Sequence, residues 1–273
     1  MFTPKASCLT RANGRLPHTA SWGTCAVVKP SPTQAVILAG GLARRLGRLA
    51  AATPKYLLPI AGLPFAARQL TRLAQLGITE VVLCIGHMGH QIEAAIGDGA
   101  RYGVRVVYSH EGPRRRGTAG ALRLALPLLR DSFILSYGDS YLPFDYLAPL
   151  RQLWRTEGAR ACMAVHCNEG RWDRSNVALA GDWVIRYDKR ERPPFRHQLD
   201  HIDYGASAMR REVVAALAAG EGDLAPLFAR LAQQGQLAAL RVKQRFYEIG
   251  SVAGYAELNQ LWNAQGDPAE RGS

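Results

Sequence analysis

The chain has 273 residues, 48% hydrophobic and 21% charged, enough apolar material for a full core, which excludes disorder as the default state. No apolar run approaches the roughly 18 residues of a bilayer span, since the stretch 119–129 is interrupted by Arg123 and Pro127, so no membrane role is expected. The formal charge of +12 is spread along the chain without aromatic interleaving or a recognition motif, which points to phosphorylated small molecules and away from nucleic acid.

Residues 1–33 carry Lys5, Arg11, Arg15 and Lys29, no acidic residue and no apolar block of signal-peptide length. They read as a flexible basic extension before one domain at 34–264, with a short flexible tail at 265–273. The five cysteines, Cys8, Cys25, Cys84, Cys162 and Cys167, form no C-x-x-C pair. Neither a zinc site nor a disulfide framework is indicated, and a reducing cytoplasm is the expected compartment.

The apolar run 35–38 feeds Ala39-Gly40-Gly41, a buried strand ending in a glycine turn. A polar loop continues to Pro59. Pro64 opens a helix whose apolar positions Ala67, Leu70, Leu73 and Ala74 recur at helical spacing until Gly77. A strand at 80–85, a helix at 90–96, a strand at 104–109, a helix at 118–126 and a strand at 133–136 follow. This alternation implies an α/β fold, a Rossmann-like and mostly parallel sheet with helices on both faces. Ligands of such sheets bind beyond the carboxyl ends of the strands, here the loops after Leu38, Ile85 and Ser136.

After Pro143 the pattern loosens. It predicts a helix at 144–155, strands at 161–166, 177–180, 183–187 and 202–209, and helices at 211–219 and 224–234. A strand at 237–242, an extended segment at 246–249 and a helix at 253–263 complete it. Gly181-Asp182 between two of the strands is a hairpin signal.

Three stretches carry chemistry. Gly40 and Gly41 let backbone N–H groups approach a phosphate, with Arg45 and Lys55 able to add charge, although a glycine turn with solvated basic residues has the same local sequence. Gly117-Thr118-Ala119 opens a helix with small residues and unpaired N–H donors; alone it is equally an ordinary helix start capped by Thr118. The strand before Gly138-Asp139-Ser140 delivers a carboxylate to the sheet edge, where a turn is the plain alternative.

In this order and spacing the three resemble the sugar nucleotidyltransferase family, whose opening signature is Gly-Gly-x-Gly-Thr-Arg-Leu with Pro-Lys about ten residues beyond. Gly40, Gly41, Arg45, Leu46, Pro54 and Lys55 fall on it; Ala43 replaces a glycine and Arg44 a threonine. The Ala-Arg-Arg variant is reminiscent of molybdenum-cofactor guanylyltransferases, but the longer spacing to Lys55 favours sugar substrates. The resemblance covers roughly residues 34–262 and implies a GT-A-like fold. It also implies transfer of a nucleotidyl group from a nucleoside triphosphate to a sugar 1-phosphate, with pyrophosphate released.

What the resemblance implies for residues is specific. Leu38, Ala39, Gly40, Gly41, Gly117, Thr118 and Ala119 would bind nucleotide, and Arg45 and Lys55 would act on the triphosphate. Asp139 and Glu248, the latter where the family has Asp, would hold Mg²⁺. Asp188 and Lys189 match a Glu-Lys segment that grips the sugar phosphate, and Asp203 and Gly205 match an Asn-x-Gly segment lining the sugar pocket. Gly-Asp-Ser and Ile-Gly-Ser variants lean toward GTP with heptose or mannose 1-phosphate. The partners implied are the two substrates, with a homo-oligomer compatible with the class. Substitutions at Ala43, Asp203 and Glu248 motivate the alternative of a catalytically silent domain that binds a nucleotide sugar or a regulatory partner. A nucleotide-binding dehydrogenase lacks support, because no further Gly-x-x-Gly follows Gly41.

Overall fold

The computed structural model describes residues 33–168, 170–189 and 199–267. Expectations for residues 1–32 and for the tail past Asp267 lie outside them. The first unit runs from β1 (Gln34–Leu38) through a 3-10 segment at Arg44–Ala50 and a 3-10 turn at Lys55–Leu57. A small ladder of β2 (Pro59–Ile60) with β3 (Leu63–Pro64) then leads to α1 (Phe65–Gln75). Gly77 ends α1 at φ 82°, and its N–H bonds to Ala74 while that of Ile78 reaches back to Leu73. This left-handed closure satisfies the last carbonyls and turns Ile78 into the core.

The chain continues through β4 (Glu80–Ile85), α2 (Gly89–Ile96), β5 (Arg105–His110), α3 (Gly117–Leu124) and β6 (Ser132–Tyr137). Then come β7 (Ser140–Tyr141), α4 (Ala148–Arg155), β8 (Ala161–Cys167), β9 (Val177–Ala180), β10 (Trp183–Tyr187) and β11 (His201–Arg210). Last are α5 (Arg211–Ala215), α6 (Leu224–Gln233), β12 (Leu237–Val242), β13 (Tyr247–Glu248) and α7 (Val252–Gln265).

The main sheet has nine strands in the order β5-β4-β1-β6-β11-β8-β12-β10-β9. Its first half, β5-β4-β1-β6, is parallel as the alternation implies, and β8 and β12 are also parallel. The other pairings are antiparallel, because β11 inserts between β6 and β8 and the β9–β10 hairpin closes the far edge. The parallel character is therefore confined to those strands.

Period-two alternation divides the core. Ile37, Leu83, Ile85 and Ile134 face α1, α2, α4 and α7, while Val36, Val82, Leu135 and Phe133 face α3, α5 and α6. Both faces are thus covered, which is why these strands read as continuous apolar runs. Full burial of each aliphatic side chain contributes roughly 1.5–3 kcal/mol.

At the amino edge of the sheet, opposite the loops that matter chemically, Glu80 is 4% exposed. Burial alone would raise its pKa, but hydrogen bonds from Arg130, Gln34 and Arg105 outweigh it and hold the carboxyl below its ordinary value. Among the described residues no helix is long and apolar enough to cross a membrane.

Candidate active site

The carboxyl ends of β1 and β6 are stitched together by Gly138 N–H to Leu38 O at 3.0 Å, and Ala39 N–H reaches Cys84 O at 2.9 Å. The loop after β1 then crosses the sheet edge closely. A Cβ on Gly40 would lie 2.2 Å from Glu111 Oε1 and 3.2 Å from Gly86 N, so a larger residue fits only if the Glu111 side chain turns away and the backbone gives slightly. Ala43, standing where the family has glycine, adopts φ 51° and ψ 30°. The conformation is thus kept without the residue that favours it.

A cavity of about 240 Å³ opens under this loop, lined by Leu38, Ala39, Gly40, Gly41, Lys55, Gly117, Thr118 and Asp139. Ala119 departs from its expected place. It is fully buried in the core beneath α3, and its N–H faces Gly222 O at 3.3 Å. The reason is the entry of α3: Gly117, at φ 68°, sits against Gly222 so tightly that a Cβ would lie 2.0 Å from its carbonyl oxygen. Thr118 does not cap its own helix. Its hydroxyl accepts the N–H of Leu224 at 3.0 Å and donates to Asp223 at 3.4 Å, joining the starts of α3 and α6. Glu111, Arg115 and Tyr137 also line this cavity. Sequence reasoning passed over them; for Glu111 the available signal was its position directly after a parallel strand.

A second cavity, about 430 Å³, is lined by Arg45, Asp139, Ser140, Asp173, Arg174, Asn176, Lys189, Asp203, Gly205 and Glu248. Asp139 and Tyr137 belong to both cavities. β13 pairs antiparallel with β7 so that Glu248 stands opposite Ser140, and Ile249 N–H bonds to Asp139 O at 2.8 Å. That ladder is what carries Glu248, far away in sequence, to the side of Asp139. The Lys55 ammonium meets Asp139 Oδ2 at 2.5 Å, and Arg45 Nη2 lies 2.9 Å from where a Cβ on Gly250 would be. Arg45 therefore faces the second cavity, with Lys55 on the first.

Glu248 is exposed at its surface, yet desolvation by the groups packed around it, and next the charges of Asp139 and Asp173, push its carboxyl up to about 7, against the opposing pull of Arg45 and Lys55. Tyr137 stays a neutral phenol, raised well above its usual value by burial and by surrounding carboxylates, Asp203 first among them.

The far wall is built by a bulge in β11 between Asp203 and Ser207, with Gly205 at φ 89°. Asp203 accepts from Tyr187 OH and from Gly205 N–H, both at 3.0 Å, and its own N–H is held by Asn176 Oδ1 at 2.9 Å. Asp188 is not in this wall. It lines a neighbouring cavity with Asp223 and Gln233, whereas Lys189, the next residue, lines both. His87 is exposed and lines neither cavity of the site.

Asp139 and Glu248 offer hard oxygen donors, and a divalent cation held by them would oppose the desolvation, and after it the Asp139 repulsion, that lift the Glu248 carboxyl. The donor set fits Mg²⁺. Among the described residues no group of three His, Cys, Asp or Glu side chains gathers as a metal cluster.

Residues 35–250 match the family model described as a MobA-like NTP transferase domain. The N-acetylmuramate alpha-1-phosphate uridylyltransferase of Neisseria meningitidis serogroup B is 31% identical over 235 residues, covering 85% of this chain and 99% of that one. The mannose-1-phosphate guanylyltransferase of Mycobacterium tuberculosis is 31% identical over 182 residues, 66% of this chain and 49% of that protein. In fold, the chain is similar to HddC from Yersinia pseudotuberculosis complexed with GMP-PN, with a TM-score of 0.71 and 21% identity over 84% of this chain and 99% of the other. With a family model spanning most of the chain and a relative aligned from end to end, the chain belongs to the MobA-like NTP transferase family, as an enzyme of the sugar-phosphate nucleotidyltransferase type.

Proposed function

We propose that the chain joins a nucleoside triphosphate to a sugar 1-phosphate, with the triphosphate in the smaller cavity and the sugar in the larger. The observation carrying this reading is that the two cavities meet at Asp139, beside Lys55 on one side and Glu248 on the other. An oxygen of the sugar phosphate attacks the α-phosphorus, the bond to the β-phosphate oxygen breaks, and pyrophosphate leaves. Catalysis of this kind is mostly positioning and charge stabilisation.

Leu38 to Gly41 and Gly117-Thr118 form the walls against which the nucleotide rests. Lys55 and Arg45 place positive charge on either side of the reacting phosphorus, and Lys189 orients the incoming phosphate while Asp203 and Gly205 shape the sugar side. Asp139 and Glu248 would hold Mg²⁺, which when bound neutralises phosphate charge. The free thiols of Cys84, Cys162 and Cys167 accord with a cytoplasmic setting.

The finer reading favoured here is uridylyl transfer to a sugar of the N-acetylmuramate kind, because the meningococcal relative aligns over 99% of its length and the mycobacterial guanylyltransferase over 49%. Guanylyl transfer to heptose or mannose 1-phosphate, suggested by the Gly138-Asp139-Ser140 and Ile249-Gly250-Ser251 variants, is the competing outcome. The purified protein with Mg²⁺, each nucleoside triphosphate and a panel of sugar 1-phosphates should release pyrophosphate with at least one pair. Silence across the panel, with nucleotide-sugar binding retained, would establish the non-catalytic alternative instead.

A further inference from the structure

The run Arg114-Arg115-Arg116 leads into α3, yet of the three only Arg115 lines the smaller cavity of the site. All three line a separate cavity of about 620 Å³ together with Arg123 of α3 and the segment Gly220-Glu221-Gly222. Gly120 helps to shape it. A Cβ there would lie 2.7 Å from Arg116 Cβ, so the missing side chain leaves room for Arg116 along the helix.

The charge in this cavity is one-sided. Four guanidinium groups line it with one carboxylate, Glu221, and Arg230 already clasps that carboxylate at 2.7 and 3.2 Å. Arg211, bonded to Leu126 O at 3.3 Å, adds a further cation at the rim. Arg116 is tied back to Glu111 O, whereas Arg114, Arg115 and Arg123 are exposed and have no side-chain hydrogen bond or ion pair among the described residues. Being open to water, these groups are within reach of a solute. A cleft lined by one sign of charge concentrates the opposite sign, and guanidinium forks match phosphate oxygens in pairs.

The same walls support the nucleotide side. Arg115 lines both cavities. Gly222 O receives Ala119 N–H and seats Gly117, and Leu224 N–H is held by Thr118.

We propose that this cavity binds a small soluble anion carrying two or more phosphate groups, distinct from both substrates, and that its binding opposes that of the triphosphate because Arg115 serves one or the other. Leu124, Leu126 and Pro127 in the lining suit the short carbon skeleton of a phosphorylated metabolite. The site stands without the proposed reaction; the antagonism rests on the smaller cavity being the triphosphate's.

Calorimetric titration of the full chain at physiological salt tests the site, with 2,3-bisphosphoglycerate as probe and 2-phosphoglycerate as the single-phosphate control. Wild type should bind the bisphosphate about tenfold or more tightly than the control, the value of one further charge-assisted contact. Arg114→Glu and Arg123→Glu, made singly, should each weaken it about tenfold or more. Both should keep the wild-type Tm, kcat and triphosphate KM without probe, since neither residue lines the two cavities of the catalytic site. Arg155→Glu, an equal charge reversal on α4 across the sheet, and Lys55→Met should bind the probe as wild type does. With free Mg²⁺ held constant, saturating probe should raise the triphosphate KM by roughly fivefold or more at unchanged kcat, the lower end of coupling between sites. Arg115→Ala should remove that rise. No binding by wild type, an equal loss in Arg155→Glu, or a loss in Lys55→Met that places the probe in the catalytic cleft overturns the site. Binding with the triphosphate KM unmoved overturns the antagonism. Absence of turnover with every acceptor refutes the reaction, and calorimetry still decides the site.

Discussion

The Lys55 ammonium lies 2.5 Å from Asp139 Oδ2, so two loops 84 residues apart in sequence, following the neighbouring strands β1 and β6, share one charge pair at the junction of the cavities. Both side chains are partly open, 17% and 24% exposed, and accessible to substrate.

Lys55→Met should lower turnover by about 10²–10³, the usual effect of removing one charge-stabilising donor, while melting changes little. Steady-state kinetics beside a melting curve checks this. A near-normal kcat would make Lys55 only a partner that positions Asp139.

Asp139→Asn should abolish turnover with the fold intact, since a neutral amide oxygen is a poor substitute for a carboxylate toward Mg²⁺. Glu248→Gln should be reduced by orders of magnitude and Glu248→Asp only in part. If Glu248→Gln matched wild type in rate and Mg²⁺ dependence, the second carboxylate would have no place in metal binding.

Glu248 also makes a prediction about pH. Its folded pKa, about 7, stands above the reference 4.5, so the folded protein binds the extra proton between those values. Stability of the metal-free protein should consequently fall as pH rises from about 4.5 to about 7 and then level off. Added Mg²⁺ should oppose the fall, because it favours the ionised form. Melting curves of wild type and Glu248→Gln across that range, with and without Mg²⁺, should differ in this slope; superimposable profiles would remove Glu248 as its source.

Glu80 works in the opposite sense at the other edge of the sheet. Its depressed pKa contributes stability that is present above the unfolded value and lost as pH falls through the folded one. Glu80→Ala should cost about 1–3 kcal/mol through lost hydrogen bonds, with kcat per folded molecule unchanged. Denaturant titration at pH 7 and at pH 4 tests this: the wild-type advantage should shrink at the lower pH.

Ala43 holds a left-handed conformation that costs an alanine about 1 kcal/mol relative to glycine. Ala43→Gly should raise the melting temperature slightly and leave KM for the triphosphate nearly as found. A marked drop in stability would mean that the Ala43 methyl packs usefully.

Much of the first half of the fold was legible because its signals are local. Period-two burial in β1, β4 and β6, the prolyl entry to α1 and the glycine exit at Gly77 are each encoded within a few residues. The position of β11 between β6 and β8 was not legible, since it depends on which distant edges pair and not on any periodicity inside 202–209. The same distinction governs the site. Leu38 to Gly41, Lys55 and Asp139 come from loops at strand ends, and the structure gathers them in one place. Ala119 followed a motif whose last residue turns into the core, and Asp188 followed one of whose two residues only Lys189 reaches the larger cavity.

The pairing of β7 with β13 has a consequence for how the enzyme is made. During synthesis Asp139 leaves the ribosome long before Glu248 and before α7, whose Leu258 and Trp262 complete the core shared with Ile37, Leu83 and Ile134. The second carboxylate of the proposed cation site and the last layer of that core therefore arrive together, at the very end of translation, and a product cut short before β13 lacks both.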